Sequence, residues 1–396
     1  MLMITEDRLL DQASLGQMYP MASLFTHPEH EPFSAQWSRI KDQLLALPAL
    51  DDNDQNPRWL NVQWLGGRRN PHYNYPESKH EVLVRQLING AFDVEAEAHW
   101  LTEFGELLQS SDIYPDIYTN HENPVNTWGN EAVRAAISEA IRSKVFRSKL
   151  PSDLANQLED EPDCVFFGEG FNRLAAARLN GKLQEMATIA CREALRRSGI
   201  WRGQRTMVSS FSLAPSWRPV GYDTNLITQN LTSDGLVSNY QNYGGVGPLH
   251  DLCVLDKAWN ALITDINIML TCTRAEQVRG EYIPNVALRG CEPYCKQPGR
   301  QGVDVQWKQT QSFLLALLAA GHKRCILFNP SNGATIEDER RMVRFLERLQ
   351  MEFPGKEFRR TAKPIPLDAK AIRIGRLTIK YDDWMAGNVG ETSPIF

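Results

Sequence analysis

The sequence lacks the features that mark membrane, secreted and nucleic-acid-binding proteins. Its longest apolar run, Phe313 to Ala320, falls well short of the roughly 20 residues that a membrane-spanning helix needs. Near the start, Glu6, Asp7 and Arg8 interrupt the chain before the apolar core of a secretion signal can form. The formal net charge of −5 provides no basic field that would attract nucleic acid or an anionic membrane. We therefore expect a soluble protein with neither of these partners.

Cysteine and histidine are too few and too scattered to form a disulfide or metal pattern. The seven cysteines are an odd number spread over 396 residues, which indicates reduced thiols and a cytoplasmic location. Cys291 and Cys295 have no second pair, and His72, His80 and His121 match no metal-ligand spacing. We expect no metal and no other cofactor.

Motifs of nucleotide-dependent and serine-based enzymes are also missing. Gly244 to Gly247 (GGVG) precedes a predicted helix, but no Walker lysine follows it and no clear strand comes before it. A flexible loop is the better interpretation of these glycines. The sequence contains no Gly-x-Ser-x-Gly elbow that would present a serine nucleophile. Nucleotide binding and serine-based acyl transfer are therefore not predicted.

The clearest structural signal is one α/β unit in the last third of the chain. Val305 to Ala320 is rich in helix formers and ends at Gly321, a residue that suits a helix C-cap. Arg324 to Phe328 is a short apolar run, as in a parallel strand that is covered on both faces. After a turn, Thr335 can cap a second helix with acidic residues in its first turn. This unit makes an antiparallel all-β fold improbable.

The same alternation of apolar runs and helical stretches repeats along the chain. A hydrophobic content of 42% is sufficient for a large core. We predict parallel strands at residues 60–65, 116–121, 164–167, 206–211, 266–270, 284–288 and 324–328. Eight strands would close a (β/α)8 TIM-like barrel, which is the predicted fold, and an open doubly wound sheet is the alternative.

The predicted barrel leaves a segment at each end of the chain. Residues 1–54 are interpreted as an N-terminal extension, and residues 55–363 as the barrel domain. Residues 364–396 contain one alternating run and are interpreted as a C-terminal β appendage.

Three glutamates follow predicted strands and are the candidate catalytic residues. Glu122, Glu169 and Glu292 come after the runs that end near residues 121, 167 and 288. A carboxylate just past a barrel strand faces the active-site mouth, and two such groups can share the acid, base and nucleophile roles in glycosidic bond cleavage. Structural roles are open as well, since Glu122 can cap the turn at Asn123 and Glu292 can pair with Arg289.

Aromatic and polar side chains are concentrated in or beside the predicted strand-end loops. Aromatic rings of this kind can stack on sugars, although half-buried packing explains any single one equally well. Asp223 is also placed to order a turn. The predicted substrate-binding residues are Trp64, Tyr73, His121, Trp128, Trp217, Tyr222, Asp223, Tyr240, Tyr243 and Asn329.

Two short motifs carry a resemblance to (β/α)8-barrel glycoside hydrolases. The motifs NHEN, which contains Glu122, and FGEG, which contains Glu169, resemble the strand-end carboxylates of those enzymes, and Trp128 follows the first. The resemblance implies a carbohydrate or polysaccharide partner and a hydrolase. A non-catalytic barrel that binds carbohydrate or serves as a structural subunit of a larger assembly is the alternative, because fold does not choose between them.

Overall fold

A computed structural model describes part of the chain, which divides into two units. The described residues are 2–5, 9–16, 18–25, 32–49, 56–63, 86–119, 131–166, 168–210, 235–238, 259–260, 262–263, 266–267, 281–283, 285–287, 302–319, 324–328, 335–352, 365–375 and 377–386. Unit 1 comprises Met1–Met21, Ala214–Arg218 and Val237–Phe396, and unit 2 comprises Ala22–Leu213 and Pro219–Leu236.

Strands and helices alternate through much of the described chain. The strands are β1 (Leu2–Thr5), β2 (Met18–Pro20), β3 (Ala22–Phe25), β4 (Trp59–Gln63), β5 (Asp116–Thr119), β6 (Thr206–Ser210), β7 (Gly235–Ser238), β8 (Glu281–Ile283), β9 (Asn285–Ala287), β10 (Arg324–Phe328), β11 (Ala371–Ile374) and β12 (Leu377–Lys380). The helices are α1 (Phe33–Leu45), α2 (Val94–Ser110), α3 (Glu131–Arg142), α4 (Lys144–Arg147), α5 (Ser152–Asp160), α6 (Arg173–Arg197), α7 (Gly302–Ala319), α8 (Ile336–Glu352) and α9 (Tyr381–Ala386), with a 3-10 helix at Gln12–Gly16. None of the described helices is both long enough and apolar enough to cross a membrane.

Unit 1 contains a four-stranded parallel sheet in the order β2-β1-β10-β9. The first strand of the chain pairs with β10, with Leu2 opposite Arg324 and Thr5 opposite Leu327. Met3 and Leu327 belong to the same buried cluster as side chains of α7 and α8. The predicted helix, strand and helix between residues 305 and 349 are confirmed, and β10 has the predicted bounds.

A buried carboxylate fixes the start of α8. Thr335 caps the helix, because Asp338 donates its backbone N–H to the Thr335 hydroxyl (3.2 Å) and accepts from that hydroxyl in return (2.8 Å). Glu339, which is fully buried, accepts backbone N–H bonds from Leu10 (2.7 Å) and Asp11 (2.9 Å). Residues far apart in sequence are thereby joined through one side chain.

The end of the described chain is an antiparallel hairpin of β11 and β12, followed by α9. Its buried and exposed residues alternate along each strand, as the sequence pattern indicates. Trp259 donates its indole N–H to the Ala369 carbonyl (2.9 Å), and the Trp384 indole donates to the Ser312 hydroxyl (3.2 Å). The hairpin belongs to the unit 1 core, because Ile372 and three other residues of its strands are buried in that cluster.

Unit 2 contains parallel strands in the order β3-β4-β5-β6. Alternate residues such as Leu60, Val62 and Ile117 belong to one buried cluster with side chains of α1, α2 and α6. On α1 the buried residues recur at helical spacing, from Phe33 to Leu44. One face of the strands is therefore covered by helices.

The predicted strand at residues 164–167 is wrong. Residues 162–165 form a turn, in which Cys164 donates its N–H to Glu161 (3.1 Å) and Phe166 to Asp163 (3.0 Å). The apolar side chains in this run are buried among α3, α5 and α6. A short apolar sequence can thus be buried in a turn between helices as well as in a strand. The chain before this turn forms three helices, α3, α4 and α5, with Pro151 at the N-cap of α5.

The predicted strand at residues 266–270 is also wrong where the structure describes it. Residues 266 and 267 are helical, as are the described residues between 259 and 263. Trp259, Leu262, Ile263 and Ile266 are all buried, and their spacing is that of one helix face. Burial of Ile266 therefore comes from a helical conformation and not from a strand.

Candidate functional site

Most of the predicted site residues lie outside the described residues. These are Glu122, Glu292, Trp64, Tyr73, His121, Trp128, Trp217, Tyr222, Asp223, Tyr240, Tyr243 and Asn329. Glu169 is the one that the structure describes.

Four strands of unit 2 end along one edge of their sheet, which we call the carboxyl edge. The strands β3, β4, β5 and β6 are parallel, and their last residues are Phe25, Gln63, Thr119 and Ser210. The ends are close in register, since Phe25 lies opposite Gln63 and Thr119 lies opposite both Val62 and Val208. Segments that leave adjacent parallel strands at one edge begin as neighbours, which is the arrangement on which α/β enzymes build their sites.

The face of these strands opposite the helices carries polar and aromatic residues. Because strand residues alternate between faces, Asn61 lies on the side opposite its buried neighbours Leu60 and Val62. In register with it are Ser23 on β3, Tyr118 on β5 and, beyond Tyr118, Met207 on β6. We call these four residues the Asn61 row.

Asn61 is a buried polar residue of the row. It is 4% exposed, and its amide oxygen has no hydrogen-bond partner in the part of the chain that is described. Tyr118 is fully buried beside it and takes part in other interactions. Sequence reasoning missed Asn61, because a single amide inside an apolar strand carries no motif.

The end of the sheet opposite the carboxyl edge is held by hydrogen bonds. Asn56 donates its side-chain N–H to the Tyr114 carbonyl (2.9 Å) and to the Asp116 carboxylate (3.4 Å). The backbone carbonyl of Asn56 accepts a hydrogen bond from the Trp59 indole (3.1 Å). Arg58 donates two bonds to the Leu47 carbonyl (3.1 and 2.8 Å). These contacts anchor the starts of β4 and β5 and have a structural role.

Glu169 lies in a different setting from the one predicted. It is exposed, and it sits between Gly168 (φ 152°) and Gly170 (φ 80°), two backbone conformations that favour glycine. The segment leads into α6, where Asn172 caps the helix by accepting the Ala175 N–H (3.1 Å). Glu169 therefore follows a turn and not a strand, and its predicted strand-end position is wrong.

Three described groups with shifted pKa values lie on the helices α2, α5 and α6. Burial raises the pKa of Glu97 on α2, and the nearby Asp93 adds to this effect. Burial also raises the pKa of the Cys191 thiol on α6 well above its ordinary value, with a further contribution from Glu97. Hydrogen bonding to Arg178 lowers the pKa of Asp153 to about 2. These shifts reflect contacts among α2, α5 and α6.

Within the described ranges, no group of three or more His, Cys, Asp or Glu side chains is arranged to hold a metal ion. Comparison with known proteins adds no further assignment, since no protein-family model and no curated protein matches the chain.

Proposed function

We propose that the protein is a carbohydrate-active enzyme that hydrolyses a glycosidic bond at the carboxyl edge of unit 2. The supporting observation is that parallel neighbours β4, β5 and β6 each lead into a segment that carries predicted site residues. Trp64 directly follows β4, and His121 and Glu122 come within three residues of the end of β5. A carboxylate beside an aromatic ring at one sheet edge suits the binding and cleavage of a sugar chain.

The proposed fold behind this site is the eight-stranded barrel. Its support is the order of pairing, since the chain passes through β3, β4, β5 and β6 in sequence, while β1 pairs with β10 across most of the chain length. In addition, a single residue separates β2 from β3, and another separates β8 from β9. In the proposed barrel each of these two pairs would count as one strand. Sequential parallel neighbours together with first-to-last pairing are the pattern of a closed (β/α)8 barrel.

Glu122 is the proposed general acid or base. It follows β5 closely, and β5 lies between β4 and β6. Glu292 comes after β9 of unit 1 and is kept as a separate candidate carboxylate, whereas Glu169 does not follow a strand. A glycosidase requires its two carboxyl groups within about 5 to 10 Å of each other.

A non-catalytic carbohydrate-binding protein is the second candidate. The position of Glu169 favours it, because one member of the carboxylate pair predicted from sequence lies in an exposed turn before α6. In that case the aromatic residues after β4, β5 and β6 would bind the glycan without cleavage.

A glycan array, followed by hydrolysis assays on the bound glycans, tests the proposal. The variants are Glu122→Gln, Glu292→Gln and Glu169→Gln, each of which keeps the side-chain shape and removes the ionisable group. We expect turnover to fall by orders of magnitude in the first two, with binding retained, and to persist in the third. Binding without hydrolysis by the wild type would support the non-catalytic alternative. Absence of glycan binding would refute both candidates.

A further inference from the structure

The Asn61 row contains a hydrogen-bond acceptor, the Asn61 amide oxygen, that no described donor contacts. Asn61 lies on the face of β4 opposite Leu60 and Val62, is 4% exposed, and has an amide oxygen without a hydrogen-bond partner among the described residues. Buried amide oxygens are nearly always paired, because desolvation without a new hydrogen bond costs free energy. An acceptor of this kind suits a role in binding.

The neighbours of Asn61 indicate what class of group it would bind. In register with it, Ser23 and Tyr118 carry hydroxyls and Met207 is apolar, so the row contains no charged side chain. Within this row a phosphate or carboxylate would find no cationic side chain. A neutral hydroxyl fits, because it donates to the amide oxygen and can also accept from a neighbouring donor.

We propose that Asn61 is a substrate-binding residue whose amide oxygen accepts a hydrogen bond from a sugar hydroxyl. The inference rests on the proposed function, since it takes the ligand of the carboxyl edge to be a carbohydrate. Asn61 is two residues before the end of β4, on the strand that leads directly to Trp64. Its amide oxygen is shielded from solvent, so a hydrogen bond to it is strengthened by the low local dielectric.

The same substitution at two asparagines separates a binding role from a structural one. Asn61→Leu removes an unpaired polar group, so we expect the variant to melt at or above the wild-type temperature. Asn267 is the matched control, because its amide donates to the Ile365 carbonyl (2.7 Å) and accepts the Ile365 N–H (2.7 Å). Asn267→Leu should melt at a lower temperature. If Asn61→Leu is as unstable as Asn267→Leu, the Asn61 amide is a structural group and the inference is wrong.

Affinity is the second measurement, made by isothermal titration calorimetry with cellotetraose, xylotetraose, maltotetraose and chitotetraose. The oligosaccharide to compare is the one that the wild type binds. We expect the affinity of Asn61→Leu for it to be lower than that of the wild type by about tenfold or more, since a ligand hydroxyl would lose its acceptor. Asn267→Leu should bind it normally. If the leucine variant does not fold, Asn61→Ala, which cannot overpack the site, decides the question by the same criterion.

The outcomes distinguish this inference from the proposed function. Wild-type binding that is unchanged in the Asn61 variants would overturn the role of Asn61 and leave the carbohydrate function standing. If the wild type binds none of the four oligosaccharides and no glycan on the array, the proposed function fails and the inference fails with it. Loss of affinity at Asn61, combined with retained stability, is the result that supports it.

Discussion

Replacing Gly105 with alanine should destabilise the protein, although the same change in an ordinary helix stabilises it. Gly105 is buried in the middle of α2, where glycine is less favourable than alanine by about 1 kcal/mol. A Cβ atom at this position would lie 1.9 Å from the carbonyl oxygen of Ser198 and 2.9 Å from its carbonyl carbon. Both atoms belong to the backbone at the C-cap of α6, so no side-chain rotation relieves the clash.

The cost follows from how far the two helices must separate. A normal contact requires the Gly105 region of α2 to move by roughly 1 Å from Ser198, in a core packed to crystal-like density. The movement would loosen the contacts of Leu101, Phe104 and Leu108 with the buried face of α6. Overpacking of this kind costs about 1 to 3 kcal/mol, which exceeds the gain in helix propensity.

Thermal denaturation followed by circular dichroism measures the effect. We expect Gly105→Ala to melt several degrees below the wild type. Gly16→Ala is the matched control, because a Cβ atom there meets nothing within 4 Å, and its midpoint should be almost unchanged. A Gly105→Ala variant as stable as the wild type, or more so, would show that α2 and α6 are not in close contact at this point.

Three further changes test other parts of the structure. Leu327→Ala, at a fully buried position in β10, should cost about 2 to 5 kcal/mol in a denaturant titration through lost burial and a cavity. Glu339→Gln should lower the free energy of unfolding by about 1 to 3 kcal/mol. The two carboxylate oxygens of Glu339 accept the N–H groups of Leu10 and Asp11, and the NH2 group of glutamine cannot accept one of them. Burial raises the pKa of Glu97 in the folded state. The stability of the wild type should therefore be highest below the ordinary pKa of 4.5 and should decline as the pH rises through the raised value. Glu97→Gln, which cannot ionise, should be more stable than the wild type near neutral pH only.

Much of the α/β pattern could be predicted from local sequence signals. The strands that became β4, β5, β6, β9 and β10 are flanked by turn residues and helical stretches, and the structure contains them close to the predicted positions. The errors arose where burial did not imply a strand. Residues 164–166 are buried among helices, and Ile266 lies on a buried helix face.

The N-terminal strands show a second limit of local reasoning. The strands β1, β2 and β3 lie within residues 1–54, which the sequence pattern indicates to be an extension. They are three or four residues long, and β1 acquires its partner β10 only across more than 300 positions of sequence. Short strands whose pairing is entirely non-local carry too little periodicity to be recognised.

The sites of chemistry are harder to predict than the strands, because a side chain's role depends on what surrounds it. Glu169 has a strand-end appearance in sequence but follows a turn. Asn61 has no distinguishing sequence context, yet its amide oxygen is buried without a described partner. Tertiary contacts, which no local pattern encodes, separate these cases.

Two kinds of polar side chain occur among the described residues, and the difference bears on function. Glu339 accepts two backbone N–H bonds, and the Asn267 amide both donates to and accepts from Ile365, so each stabilises the fold by satisfying backbone groups. The Asn61 amide oxygen satisfies no described group, and its burial opposes folding. A cost of this kind is expected where a residue is retained for binding, since functional sites commonly sacrifice stability for recognition. The location of Asn61 on β4, just before Trp64, connects that cost to the carboxyl edge, where the predicted sugar-binding segments begin.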